Sequence, residues 1–289
     1  MKKLKKSFYR FAVLGGDMRQ VYLADILEEK GQEVKRYGLE TETESSASLK
    51  EVLETADVIA APVPFLKKDV VFCKNPQEKF QTELQGENIL KLARPGSVLF
   101  AGGIPAEYEK KAAKKGIVCV DYLKDEYTAM ENTVAAAEGL LAEAICRSSR
   151  NLFGSSCLVL GYGRCGSTLV SYLKKFSCHV TVAEKEEKVR ARAGLLADRV
   201  IAPSKLPLYL GSVQYIFNTA PAMVLPRALL EYVSADALIL DMASAPGGVD
   251  YQAAEEKKLQ AVLLPGLPGR YAPYSSAEIL AKFIFRYME

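Results

Sequence analysis

The amino-acid sequence predicts an α/β protein of two domains, each built around a parallel β-sheet. The chain has 289 residues, which is long enough to bury two hydrophobic cores. Short apolar runs alternate with helical patterns along most of the chain, as is typical of βα repeats. One apolar run, residues 157–160, leads directly into the glycine turn Gly161-x-Gly163-x-x-Gly166. We therefore predict a C-terminal doubly wound parallel Rossmann sheet, an N-terminal flavodoxin-like or Rossmann-like α/β domain, and a cleft between them.

The N-terminal domain is predicted to span residues 1–131. Apolar runs indicate strands at 8–15, 33–37, 58–61, 97–101 and 117–121. Helical patterns lie between them at 21–30, 87–92 and 105–115. The last helix, 274–289, is predicted to pack back on this domain, because the second sheet is complete without it.

The second domain is predicted to span residues 132–273 and to begin with a bridging helix, 132–148, that is rich in alanine and leucine. Strands are predicted at 157–161, 179–183, 199–201, 213–218, 237–242 and 261–264. Four helices are predicted between these strands, at 166–176, 186–196, 226–233 and 250–258, followed by a loop at 265–273. Right-handed crossovers between six such strands give a doubly wound sheet.

Composition excludes several classes of function. The net charge of +3 is too small for a nucleic-acid-binding protein, and the basic stretch from Lys2 to Lys6 is interpreted as a solvated tail. No apolar run is long enough to span a bilayer, so we expect a cytoplasmic protein. The six cysteines form no CxxC pair, and the one histidine, His179, is predicted at the start of a strand. We therefore expect no metal site.

The glycine turn predicts the binding of a dinucleotide. Gly161 allows the tight turn, Gly163 lets the backbone approach a phosphate, and Gly166 lets the helix lie close to the strand. The helix N-terminus that follows offers N–H groups and a positive dipole end to the pyrophosphate. The predicted cofactor-binding residues of this turn are Gly161, Tyr162, Gly163, Arg164, Cys165 and Gly166.

The choice between NAD and NADP depends on the end of the second strand of this domain. Glu184 is placed to accept hydrogen bonds from ribose hydroxyls and to repel the 2′-phosphate of NADP. Lys185 has the opposite preference, because it is placed to pair with that phosphate. The charges alone leave both cofactors open.

Three further loops begin where apolar strands end, which is the edge at which open α/β sheets bind ligands. Their small residues are predicted to border the nicotinamide ring and its ribose. The residues predicted for this role are Asn218, Thr219, Ala220, Pro221, Ala243 and Pro265.

Substrate binding is predicted mainly in the N-terminal domain. The stretch Gly15-Gly16-Asp17-x-Arg19-Gln20 places an arginine and an amide at a helix start, which suits a carboxylate, although Arg19 has Asp17 as an alternative partner. The candidate substrate residues are Gly16, Asp17, Arg19, Gln20, Gly102, Gly103 and Arg270. Glu138 stands among apolar sequence neighbours in the bridging helix and is expected to be a buried carboxylate; it is a candidate acid or base, and alternatively a structural hydrogen-bond acceptor.

The motifs together resemble the A subunit of dipicolinate synthase over nearly the whole chain. The resemblance rests on AVLGGDMRQ at 12–20, on Asn132 with Glu138 and Gly139, on VLGYGRCG at 159–166, on LILDMASAPGGVD at 238–250, and on LLPGLPGRYAP at 263–273. It implies oxidation of dihydrodipicolinate to dipicolinate (pyridine-2,6-dicarboxylate) with hydride transfer to NADP, or alternatively NAD. It further implies a flavoprotein-like partner, the B subunit of dipicolinate synthase, and a role in spore formation in the mother cell.

The sequence departs from this family at two places. Ala245 stands where a basic residue is common, and Glu184-Lys185 stands where a small residue and an arginine are common. The second departure favours NAD or a relaxed preference. The alternatives to the dipicolinate reaction are a two-domain dehydrogenase of the 2-hydroxy-acid or adenosylhomocysteinase-like kind, and a non-catalytic protein that senses nucleotide.

Overall fold

The computed structural model describes residues 8–42, 47–75 and 77–289. The predicted tail from Lys2 to Lys6 lies outside these residues. The chain divides into two compact units: the N-terminal unit comprises Met1–Asn132 with Ala272–Glu289, and the nucleotide unit comprises Thr133–Tyr271. In the part of the chain that the structure describes, no helix combines the length and the apolar character needed to cross a lipid bilayer.

The N-terminal unit is built on a sheet of five parallel strands in the order β2-β1-β3-β6-β7, with a small antiparallel pair, β4-β5, beside it. Its strands are β1 (Arg10–Leu14), β2 (Glu33–Tyr37), β3 (Val58–Ala60), β4 (Leu66–Lys67), β5 (Val70–Val71), β6 (Val98–Ala101) and β7 (Val118–Asp121). Its helices before the domain boundary are α1 (Met18–Glu29), α2 (Leu49–Glu54), α3 (Glu78–Glu83), α4 (Gly86–Leu92) and α5 (Ala106–Lys114).

Helices cover both faces of this sheet, because its central strands are apolar on both sides. Along β1 the side chains alternate between faces: Ala12 and Leu14 enter one core cluster, whereas Phe11 and Val13 enter the other. The second cluster includes α1 and the last helix of the chain, Pro273–Met288. Its buried side chains Ala277, Leu280, Ala281 and Ile284 follow helical spacing and complete that face.

The nucleotide unit has a sheet of six parallel strands in the order β10-β9-β8-β11-β12-β13. The strands are β8 (Ser156–Leu160), β9 (His179–Ala183), β10 (Arg199–Ile201), β11 (Tyr215–Asn218), β12 (Leu238–Asp241) and β13 (Gln260–Leu263). In sequence order within the unit this is 3-2-1-4-5-6, the strand order of a dinucleotide-binding Rossmann sheet. The predicted fold class is confirmed.

The remaining α-helices are α6 (Glu126–Arg147), which crosses the domain boundary, α7 (Arg164–Lys175), α8 (Glu187–Ala193), α9 (Arg227–Leu230), α10 (Tyr251–Glu256), α11 (Leu267–Tyr271) and α12 (Pro273–Met288). Two of them differ from the prediction. Helix α6 begins at Glu126 rather than at residue 132, because Asp125 caps its first turn by accepting a hydrogen bond from the Thr128 amide at 2.9 Å. Helix α11 lies within the segment predicted as a loop, and Pro268 occupies its first turn, where proline is tolerated.

Candidate functional site

The glycine turn of the nucleotide unit has the geometry that its spacing predicts. Gly161 has a φ of +90°, which is the left-handed region that favours glycine. A Cβ on Gly166 would lie 2.3 Å from the Gly161 carbonyl oxygen, so only glycine lets α7 start this close to the strand. By contrast, a Cβ on Gly163 would meet no atom within 4 Å. The space beside Gly163, at the N-terminus of α7, is therefore open.

The other residues of the turn have different environments. Tyr162 is buried and packs into the core of the nucleotide unit, so its side chain is structural. Arg164 is exposed and Cys165 is partly exposed at the start of α7. Thr219 ties the turn to the end of β11 by donating from its hydroxyl to the carbonyls of Leu160 at 3.1 Å and Gly161 at 3.3 Å.

The carboxylate of Glu184 lies directly beside the turn. Its Oε2 accepts a hydrogen bond from the Tyr162 amide at 2.9 Å, and its Oε1 accepts one from the Glu186 amide at 3.0 Å. Lys185 is exposed, whereas Arg190 donates from Nη1 to the carbonyls of Glu184 and Lys185 at 3.0 and 2.6 Å. The Glu184 carboxylate is thus held by backbone amides. The basic side chains of Lys185 and Arg190 belong to the segment that follows it in sequence.

A fully buried carboxylate, Asp241, organises the loops at the ends of β11 and β12. Among the described residues it accepts hydrogen bonds from Asn218 Nδ2 at 2.8 Å, the Ala243 amide at 2.9 Å, the Gly248 amide at 2.6 Å and the Tyr251 hydroxyl at 2.8 Å. Burial raises the pKa of the Tyr251 hydroxyl, and its hydrogen bond to Asp241 adds to this rise. The network keeps the loop 243–248 next to β11.

Of the residues predicted to border the nicotinamide, Asn218 and Ala243 are buried in this network, and Ala220 donates its amide to Asn218 Oδ1 at 2.9 Å. Pro221 and Pro265 are exposed in the segments that follow β11 and β13. The sequence prediction did not include Asp241 or Tyr251. The available signal was an aspartate that directly follows an apolar strand, a position at which a charged side chain is buried only if it is fully hydrogen-bonded.

The first glycine turn, Gly15-Gly16, has no open phosphate position. Gly15 donates its amide to the Tyr37 carbonyl at 2.9 Å, and Gly16 donates its amide to the Phe72 carbonyl at 2.6 Å. The segment around Cys73 pairs with Gly16 as an isolated bridge. The predicted substrate residue Gly16 therefore uses its backbone within the fold.

The predicted carboxylate residue Arg19 is buried and paired with Asp17. Nε of Arg19 donates to Asp17 Oδ1 at 2.8 Å and Nη2 to Asp17 Oδ2 at 3.0 Å, and Nη2 also donates to the Val63 carbonyl at 2.6 Å. Arg19 is thus paired with Asp17, the alternative partner that the sequence offered. Gln20 donates from Nε2 to the Ala60 carbonyl at 3.0 Å, so its amide holds the helix to β3.

The other predicted substrate residues also have structural contacts. A Cβ on Gly102 would lie 2.5 Å from Val63 Cγ2, so this glycine allows close packing. Gly103 donates its amide to Asp121 Oδ1 at 3.0 Å. Arg270 lies on α11, and its Nη2 donates to Glu143 Oε1 at 2.7 Å.

The expectation that Glu138 is a buried carboxylate is wrong. Glu138 is exposed and accepts a hydrogen bond from the Tyr172 hydroxyl at 3.1 Å. The buried carboxylate of α6 is Glu143, more than one turn further along, because the apolar face of a helix repeats every three to four residues and excludes position 138. Burial works to raise the pKa of Glu143, but hydrogen bonds from Tyr271 and Arg147 and the charge of Arg270 outweigh it and lower this pKa.

Within the described ranges no group of three or more His, Cys, Asp and Glu side chains is arranged to hold a metal ion. His179 is exposed as the first residue of β9, at the opposite edge of the sheet from the glycine turn.

Comparisons with known proteins identify relatives of this chain. The family model for the N-terminal domain of the dipicolinate synthase A subunit matches residues 10–123. The A subunit of dipicolinate synthase from Bacillus subtilis strain 168 is 27% identical over 283 residues, which cover 95% of this chain and 94% of that protein. The crystal structure of the dipicolinate synthase A subunit from Bacillus halodurans has a TM-score of 0.83 at 25% identity, with 99% of each chain covered.

A more distant structure, the apo form of D-lactate dehydrogenase from Escherichia coli, has a TM-score of 0.59 at 14% identity and covers 96% of this chain and 95% of that one. This likeness concerns the fold alone. The resemblance that the sequence motifs indicate is confirmed: residues 10–123 match the N-terminal domain family of the dipicolinate synthase A subunit, and the chain as a whole is similar to that protein.

Proposed function

We propose that this protein is an oxidoreductase that oxidises dihydrodipicolinate to dipicolinate with a nicotinamide dinucleotide as hydride acceptor. The proposal is supported by the similarity to the dipicolinate synthase A subunit over 95% of the chain. It is also supported by the dinucleotide-binding strand order of the nucleotide unit. Formation of an aromatic ring supplies the driving force, so the protein mainly needs to orient the substrate.

The observation that carries the proposal is the open space beside Gly163. This space lies at the N-terminus of α7, and the first amides of a helix have no carbonyl partner within the helix and attract anions. A pyrophosphate fits such a position because it is anionic and approaches the backbone closely. Gly161, Gly163 and Gly166 would hold the pyrophosphate, and Glu184 would hold the adenosine ribose.

Glu184 favours NAD over NADP in this proposal. Each of its carboxylate oxygens accepts one backbone hydrogen bond, and each has a second lone pair for a ribose hydroxyl. The 2′-phosphate of NADP would approach the same negative charge, with Lys185 and Arg190 as the neighbouring positive charges. The two backbone bonds keep the carboxylate from turning away from that phosphate.

The nicotinamide end would meet the loops that Asp241 holds in place. Bound there, the cofactor supplies the carbon that accepts hydride. The chain contributes a fixed wall, because four hydrogen bonds to one buried carboxylate restrict the positions of Asn218, Ala243 and Gly248. Glu138, exposed on α6 with a hydrogen bond from Tyr172, stays a proposed acid or base.

The test is dipicolinate formation by the purified chain, with dihydrodipicolinate produced in the same tube by an upstream synthase. We expect ultraviolet absorbance of dipicolinate to appear with NAD faster than with NADP. A parallel reaction contains the proposed flavoprotein-like partner, the B subunit. Binding of nucleotide without product in either reaction would contradict the oxidoreductase proposal and favour a nucleotide-sensing role.

A variant of Glu184 tests the preference for NAD over NADP. Glu184→Gln keeps an oxygen for the Tyr162 amide but removes the charge, so we expect the ratio of the NADP Kd to the NAD Kd to fall about tenfold, or ~1.4 kcal/mol. Glu187→Gln removes an exposed charge on the next helix and serves as the matched control. An unchanged ratio in Glu184→Gln would mean that this carboxylate does not select the cofactor.

A further inference from the structure

A small cavity lies inside the N-terminal unit, where its strands end. Val63 follows β3 and Tyr122 follows β7, so two walls of the cavity come from the carboxyl ends of parallel strands. Helices α6 and α12 close the other sides. The cavity is lined by Arg19, Val63, Tyr122, Leu123, Thr128, Asn132, Ser276 and Leu280.

Two of the lining residues have buried hydroxyls that bond to no described residue. The Tyr122 hydroxyl and the Ser276 hydroxyl are both inaccessible and have no hydrogen-bond partner within residues 8–42, 47–75 and 77–289. Tyr122 is 0% exposed and Ser276 is 1% exposed. Buried hydroxyls without a partner are uncommon in folded proteins, and each calls for an explanation.

Several side chains with hydrogen-bond donors line this space, namely those of Arg19, Tyr122, Asn132 and Ser276. The buried Arg19 uses Nε and Nη2 on Asp17 and the Val63 carbonyl, and within the described chain no bond is made from its Nη1. Thr128 already donates its hydroxyl to Asp125 Oδ2 at 2.6 Å. The guanidinium and the two hydroxyls therefore offer protons to a group that can accept them.

The size of the cavity selects a single atom rather than a ring. The centre of a water-sized atom has about 10 Å³ of free space inside it. This is room for roughly one oxygen atom. Arg19 and Asp17 balance each other in charge, so the cavity favours an acceptor oxygen by hydrogen bonding more than by net charge. A carboxylate oxygen has this size and accepts several hydrogen bonds.

We propose that this cavity receives one carboxylate oxygen of the substrate, with Tyr122 and Ser276 as hydroxyl donors beside Arg19. The inference rests on the proposed function, since it assigns one carboxylate of a pyridine-2,6-dicarboxylate to a place in the N-terminal unit. It assigns substrate binding to the hydroxyls of Tyr122 and Ser276. Arg19 was predicted to bind a carboxylate, and in this inference only its Nη1 does so.

The test is binding of pyridine-2,6-dicarboxylate to the full chain by isothermal titration calorimetry, without divalent cations, which this ligand chelates. Tyr122→Phe and Ser276→Ala each remove one hydroxyl and keep the shape of the cavity nearly unchanged. We expect each to weaken dicarboxylate binding about tenfold and to leave the dinucleotide Kd unchanged. The control is Tyr108→Phe, because Tyr108 is a buried tyrosine of the same unit that donates to the Gly86 carbonyl and lies outside the cavity.

A structural water in the cavity gives a different result. In that case both variants lower the melting temperature and leave the dicarboxylate Kd at the wild-type value, which overturns the inference. Pyridine-2-carboxylate serves as a second ligand: if one carboxylate occupies the cavity, the variants weaken its binding too.

The outcomes separate this inference from the proposed function. Dicarboxylate binding that depends on both hydroxyls, in a chain that forms no dipicolinate, supports the site and contradicts the oxidoreductase. Dipicolinate formation with a substrate KM that neither variant changes supports the oxidoreductase and contradicts the site.

Discussion

Two glycines in one turn have opposite reasons to be glycine. At Gly166 the neighbouring backbone excludes a side chain, since a Cβ would lie 2.3 Å from the Gly161 carbonyl oxygen. At Gly163 the space beside the backbone is open, since a Cβ would meet no atom within 4 Å. Gly166 therefore serves the fold, whereas the binding role of Gly163 is part of the proposed function.

This difference predicts the behaviour of two alanine variants. Gly163→Ala should keep the melting temperature within about 1 °C or raise it, because alanine reduces the entropy of the unfolded chain. It should weaken dinucleotide binding at least about tenfold, because the methyl group occupies the space beside the phosphate. Gly166→Ala should destabilise the nucleotide unit by about 1–3 kcal/mol through overpacking.

Thermal unfolding with and without NAD measures both effects. The interpretation of the turn is wrong if Gly163→Ala binds NAD as tightly as the wild type. It is also wrong if Gly166→Ala is as stable as Gly163→Ala.

At the scale of elements, the buried carboxylate of Glu143 connects α6 to α11. It accepts hydrogen bonds from Arg147 Nε at 2.5 Å, Arg270 Nη2 at 2.7 Å and the Tyr271 hydroxyl at 2.6 Å. The aromatic ring of Tyr271 reaches α6 because Gly139 has no side chain: a Cβ there would lie 2.8 Å from Tyr271 Cδ2. These contacts hold the segment after Pro265 at the end of β13.

The lowered pKa of Glu143 predicts a pH dependence of stability. A carboxyl whose pKa is lower in the folded state stabilises the protein above its unfolded pKa of about 4.3, and this contribution is lost as pH falls through the folded pKa. Glu143→Gln should therefore cost about 1.5–3 kcal/mol near neutral pH and progressively less below about pH 4.5.

Urea unfolding of the wild type and the variant at several pH values between neutral and acid gives this difference. Glu255→Gln, an exposed change on α10, is the control and should have little effect at any pH. A cost for Glu143→Gln that stays constant down to the acid limit would contradict the role of the ionised carboxylate.

At the scale of the whole molecule, the two ends of the N-terminal unit are far apart in sequence. Helix α12 buries Leu280, Phe283, Ile284 and Met288 in the same cluster as the first strand of the chain. Each such side chain contributes about 1.5–3 kcal/mol, so together they approach the whole stability of a domain. The N-terminal unit thus depends on a helix that follows the nucleotide unit in sequence.

One core variant of α12 tests this dependence. Ile284 is 0% exposed, and Ile284→Ala should destabilise the N-terminal unit by about 2–5 kcal/mol by leaving a cavity. Hydrogen exchange should accelerate in β1 and β3 and stay unchanged in β8. The exposed change Glu278→Ala on the same helix should leave exchange unchanged. Acceleration of equal size in β8 would contradict the assignment of α12 to the N-terminal unit.

The secondary-structure elements of this protein were easier to predict from the sequence than its side-chain contacts. All six strands of the nucleotide unit were predicted within two residues at either end, because each is a short apolar run bounded by turn residues. The start of α6 and the helix α11 were missed. Asp125 as a cap and Pro268 in a first turn are local signals, and their meaning depends on which helix end lies nearby.

The sequence by itself determined the βα alternation, the parallel sheets and the position of the glycine turn, because periodicity and glycine conformation are local properties of the chain. Only the tertiary structure decided what each polar side chain does. Arg19 pairs with Asp17, Arg270 pairs with Glu143, and Asp241 collects four donors from three segments. The physical reason is that a polar group is assigned by the partners within about 3 Å of it, and those partners come from distant parts of the chain.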